Sequence, residues 1–198
     1  MRKIVVNSHT TLAKCIHWGF IILYAYGMFK QLDDLSQLED TGLLIFEVIF
    51  ASIFLLIVII RYAYMRRFET FLGAREQVHI VHTYFAKIVH KSMYLCLILL
   101  PLSGLAIAGL FVRGVTDGPI QGAVLAIHES TATLSYVLIA IHVSAAIYSR
   151  IKGEGIWSSM VPILKEEKPT ENEIIKKISA FEEGIYDKVQ TIFSSNKE

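Results

Sequence analysis

Residues 41–62 read TGLLIFEVIFASIFLLIVIIRY, twenty-two positions in which Glu47 and Arg61 are the only charged side chains. A bilayer's hydrocarbon core is about 30 Å thick and takes about 20 helical residues to cross, so this stretch is long enough to span it. Three further stretches meet the same length on either side of it, at 11–29, 88–111 and 122–148. Charge or turn-forming residues bound each of them. Asp33, Asp34, Glu39 and Asp40 follow the first, Arg61, Arg66 and Arg67 close the second, and Gly114, Asp117, Gly118 and Pro119 separate the third from the fourth. Pro101 falls inside the third stretch, where a membrane helix tolerates it because neighbouring helices re-satisfy the freed carbonyl. The first stretch is too long for a signal-peptide core and no small-residue cleavage site follows it, so it is expected to persist in the mature protein.

The whole composition agrees. Of 198 residues, 54% are hydrophobic and 19% charged, and the mean hydropathy is +0.49, more apolar than a soluble domain. A net charge of +1 gives no ground for a nucleic-acid partner. Cys15 and Cys96 lie in apolar stretches and read as small hydrophobes. Basic residues crowd one side of the spans: Arg2, Lys3 and Lys14 before the first, Arg61 to Lys91 between the second and third, Arg150 and Lys152 after the fourth. Both termini and the middle loop are therefore expected in the cytoplasm. Short outer loops join antiparallel neighbours, so the expected fold is an all-α membrane protein, a four-transmembrane-helix up-and-down bundle over residues 1–165. Residues 166–198 are polar but carry Ile174, Ile175, Ile178, Phe181, Ile185 and Val189 near helical spacing, which predicts a cytoplasmic amphipathic tail. Trp157 marks a headgroup-level segment ahead of it.

Ionisable side chains inside a bilayer are costly and usually mark function. His17, His128 and His142 all lie within spans. His128 and His142 are 14 residues apart, which puts them on nearly one helix face, about 21 Å apart along the axis, able to serve two stacked sites. His17 and His142 both lie about 9 to 12 Å from the cytoplasmic surface and match in depth, so both can reach one iron. Two axial imidazoles make a closed, low-spin haem site suited to electron transfer. No thiol or carboxylate completes a tetrahedral zinc set at either depth. Glu47 is about 9 Å deep from the other side, near the depth of His128. Burial would protonate it if unpaired, and pairing with His128 is the other option. His90 lies near the cytoplasmic end of the third span, one turn before Tyr94. His9, His79 and His82 read as surface residues.

His17-Trp18, Arg61, the run from His90 to Tyr94, Leu100-Pro101-Leu102-Ser103-Gly104, and His128-Glu129 with His142 occur together in this order. In these motifs, over about residues 11 to 165, the chain resembles the prokaryotic cytochrome b561 family, which includes the b-type cytochrome subunits of membrane-bound nickel-iron hydrogenases. The resemblance implies a multi-pass protein of the bacterial inner membrane, with haem b on the cytoplasmic side held by His17 and His142. It implies a second, outer haem between His128 and a histidine in span two, but that position is Glu47 here. The outer haem is then lost, or Glu47 is an unusual ligand, or another group pairs with His128; one firmly held haem is expected. His90 and Tyr94 would line the inner haem or a quinone pocket, and Lys14, Lys87, Lys91 and Arg150 would pair with propionates. The implied function is electron exchange between a quinone pool and a redox partner, such as a hydrogenase or a periplasmic carrier. The alternatives are a superoxide oxidase, disfavoured by the net acidic outer loops that would repel its anion, and a cofactor-poor membrane anchor.

Overall fold

The computed structural model describes residues 9–32, 34–68, 71, 74–164 and 168–195; Arg2, Lys3, Asp33 and Glu166, used in the charge and tail arguments above, lie outside them. Among the described residues the chain is all-helical: α1 (Thr11–Phe29), α2 (Thr41–Met65), α3 (Ile80–Val112), α4 (Gly118–Lys152), the short α5 (Ile156–Met160) and α6 (Glu173–Ser195), with a 3-10 turn at Leu35–Glu39. The first four are long and apolar enough to cross a membrane.

Capping explains where α2 starts. Asp34 accepts from the amide of Ser36 at 2.7 Å to open the 3-10 turn. Asp40 accepts from Gly42 at 2.8 Å and Leu43 at 3.3 Å, satisfying two amides that a helix start leaves without partners. The other ends outrun the apolar stretches: α3 begins eight residues before position 88, and α4 runs from Gly118 to Lys152. Hydropathy marks the edge of the hydrocarbon, whereas a helix continues until something stops it. For α4 that is Gly153, at φ +75°, where an added Cβ would lie 2.5 Å from the carbonyl oxygen of Lys168. Only glycine suits a left-handed position with backbone that close.

Two compact units share these helices. Cys15–Arg66 with Ser92–Ile139 forms one. Its core joins Phe20 and Tyr24 of α1, Phe54 and Val58 of α2 and Leu97 of α3, with Tyr136 and Ile139 of α4 against them. The Tyr24 hydroxyl donates to Ser135 Oγ at 2.7 Å, because Ser135 spends its own proton on the Ala132 carbonyl. On the opposite face of α2, Ile49, Ile53, Leu56 and Ile60 are about half exposed, the surface that lipid covers in a membrane helix.

Met1–Lys14, Arg67–Lys91 and Ala140–Glu198 form the other unit. Here α6 docks through Glu182, which accepts from Tyr148 at 3.1 Å and from Lys152 at 3.2 Å. Burial pushes the Glu182 carboxyl up, but its hydrogen bonds with Tyr186, Lys152 and Tyr148 and the Lys152 charge outweigh this and hold it below the usual carboxylate range. The three histidines read as surface residues are corrected. His9 is buried, edge-on to Phe68 at 5.3 Å, while His79 stacks on Tyr186 at 5.5 Å and meets Asp187 at 3.3 Å. His82 packs on Phe71 and Tyr186. Apolar spacing missed the contacts of His79 and His82 with Tyr186 because they form beyond the apolar stretches.

Candidate haem site

On α1, nearly two turns into the helix, the His17 ring is half-buried and stands edge-on to Trp18. Arg61 of α2 reaches it: Nη2 lies 2.6 Å from His17 Nδ1. A guanidinium only donates, so Nδ1 is the acceptor of this bond. The Arg61 guanidinium also lies over Phe20 at 5.1 Å and Tyr94 at 5.5 Å, and Tyr94 is held edge-on by Tyr62 at 5.0 Å. Because α2 continues to Met65, Arg61 sits a full turn inside the helix, and its Nε is buried with no partner.

Toward the other end of the same unit, the carboxylate of Glu47 forms an ion pair with Lys30. The Lys30 ammonium lies 4.4 Å from the Phe50 ring centroid and 5.4 Å from that of Phe46. Glu47 thus pairs with Lys30, where the sequence left open protonation or a bond to His128. Lysine at the close of α1 has the length to turn back along α2, the habit of a long cation near a helix end. His128 instead bonds through Nδ1 to Ser103 Oγ at 2.9 Å. Ser103 donates its proton to the Leu99 and Leu100 carbonyls, so it accepts from Nδ1–H and leaves the Nε2 lone pair of His128 available. An added Cβ on Gly104 would lie 3.5 Å from His128 Cε1, so α3 and α4 approach closely here.

In the other unit His142 and His90 meet edge-on, ring centroids 4.9 Å apart. Of the four cations assigned to propionates, Lys87 lies over Tyr84 at 5.6 Å. Arg150 donates to the Leu164 carbonyl at 3.0 Å and lies over Trp157 at 5.7 Å. Lys91 is exposed, and Lys14 is half-buried near His9.

A family model described as prokaryotic cytochrome b561 matches residues 8–162. The chain belongs to this family. No curated protein and no solved structure matches it. A cytochrome b561 is a membrane electron-transfer protein that carries b-type haem, and that holds for this chain. The chemistry present fits the group. Imidazoles at His17, His128 and His142 are suitable axial ligands, and Ser103 fixes His128 in the tautomer that leaves Nε2 for a metal. The buried guanidinium of Arg61, which forms no ion pair with a carboxylate among the described residues, suits a cofactor that brings carboxylates. Sequence reasoning overlooked Lys30, Ser103 and Arg61 as site residues. Ser103 was within a quoted motif, and Arg61 was an ionisable residue at the rim of a span, the signal that points to a site.

Proposed function

We propose that this cytochrome b561 passes electrons between a quinone pool and a redox partner through a single firmly held haem b, ligated by His17 and His142 on the cytoplasmic side. When bound, the haem supplies reversible one-electron transfer. His17 and His142 would contribute the imidazole ligands, and His90, beside His142, would line the inner haem or a quinone pocket. The partner is a hydrogenase-like subunit or a periplasmic carrier. Residues 1–165 form the haem-binding domain and 166–198 its cytoplasmic tail, in the bacterial inner membrane with both termini inside.

The Lys30–Glu47 ion pair carries the single-haem reading. Where the family resemblance puts the second histidine of an outer haem, this chain has a carboxylate already neutralised by its own lysine. A carboxylate so engaged is a poor axial partner for haem iron, and any iron held by His128 alone would be five-coordinate and high-spin. A pyridine haemochrome assay on the purified protein should return one haem per chain; two equal bis-histidine haems, each with its own midpoint potential, would refute the reading. The orientation is tested by labelling introduced cysteines in intact cells: positions 34 and 117 should react and position 67 should not, and the reverse would invert it.

A further inference from the structure

Among the described residues Arg61 is a cation without an anion. It lies inside α2, its Nε is buried without a partner, and among the described residues no carboxylate forms an ion pair with it. Its company is one imidazole nitrogen and the faces of two aromatic rings. Taking a guanidinium out of water costs several kcal/mol unless a counter-charge compensates, and inside a bilayer water compensates poorly. The planar fork of five N–H groups matches a carboxylate in two parallel bonds. Among the described residues none supplies that carboxylate, and a ligand that brings one suits the place.

Arg61's bond to His17 points the same way. With a guanidinium donating to Nδ1, the neutral His17 ring carries its proton on Nε2. A histidine that ligates iron through Nε2 carries it on Nδ1 and donates it to an acceptor. The two states exclude each other, so Arg61 has to leave Nδ1 when His17 binds a metal, and the nearest relief for its charge is an anion arriving with that metal. We propose that Arg61 receives a propionate of the haem that His17 ligates, exchanging its bond to Nδ1 for a carboxylate. This rests on the haem reading above, and it gives a role in cofactor binding to a residue that the sequence reading treated as the boundary of span two. Arg61 then anchors the cofactor by its acidic edge.

The test uses the full chain in detergent, purified from haem-starved cells and titrated with haem b and with haem b dimethyl ester, which lacks the two carboxylates. The unaltered protein should bind haem b at least tenfold more tightly than the diester. Arg61→Gln should reduce that preference to near unity, and Arg61→Lys should keep part of it. Losing a cation beside the propionate favours the ferric form. The Gln variant loaded with haem b should therefore show a roughly tenfold higher ferric-to-ferrous ratio at fixed ambient potential, about 59 mV for a one-electron couple. Equal binding of haem and diester by the unaltered protein overturns the proposal, and that comparison needs no variant to fold. It is overturned equally if Arg61→Gln weakens both ligands alike, which is the signature of a structural role. Failure of the unaltered protein to bind either porphyrin sinks the haem reading itself, a distinct result.

Discussion

Glu47 and Arg61 stand 14 residues apart on α2, on nearly the same face, and their surroundings are opposite. Glu47 has a partner of opposite charge, Lys30, within the same unit. Arg61 has a histidine and two rings. One end of the helix is electrically closed and the other is open. A closed end holds helices together and leaves nothing for a ligand to neutralise, whereas an open end retains an unmet electrostatic demand that a charged cofactor can satisfy. Two charges on one apolar helix, which the membrane rule alone would rank together, therefore have different roles.

The comparison breaks outright if the histidine at the open end is dispensable. His17→Ala and His142→Ala should each abolish the low-spin haem spectrum of the purified protein. Full retention of bis-histidine haem in both would mean that neither is a ligand.

A smaller effect sharpens the closed end. The double change Lys30→Gln with Glu47→His removes the ion pair and offers His128 an imidazole from α2, so the haem-to-protein ratio should rise from one toward two. Glu47→Gln alone leaves Lys30 without its counter-charge and should add no haem, while destabilising the fold by up to about 3 kcal/mol, the low end of what breaking a buried pair costs. Thermal unfolding in detergent measures this, and a neutral outcome would show that the pair is too solvated to matter.

The smallest effect lies in the other unit and depends on pH. The folded state holds the Glu182 carboxyl below its ordinary range. The anchoring of α6 is then fully present above the unfolded carboxylate pKa and is lost as pH falls through the lower folded value. His9 acts in the same direction over a higher window. Burial first, and Lys14 second, bring its pKa from 6.5 to about 4, so the unfolded chain takes up a proton that the folded one refuses, and stability falls as pH drops from 6.5 toward 4. Proteolysis of α6 should accelerate with acid, with Glu182→Gln already susceptible at neutral pH. A rate independent of both would remove Glu182 as the anchor.

Much of this was legible in the chain. The four spans follow from apolar length, because a bilayer demands about 20 residues whatever their neighbours, and α1 runs from Thr11 to Phe29, matching the apolar stretch end for end. The amphipathic tail was legible from the spacing of its isoleucines, and the family from the order of a few histidines, an arginine and a proline. Helix ends were less so: α3 starts early because the residues from Ile80 to Lys87, although they include His82 and Lys87, contain nothing that breaks a helix.

Depth along the bilayer is a property of the sequence, since each residue adds a fixed rise to its helix. Which groups meet is not, because it depends on how each helix is rotated about its axis and how far its side chains bend back. Counting placed Glu47 level with His128; the packed helices paired it with Lys30 and gave His128 to Ser103. Counting placed Arg61 at the rim of its span, and only the packing of α1 against α2 brought its guanidinium to Nδ1 of His17.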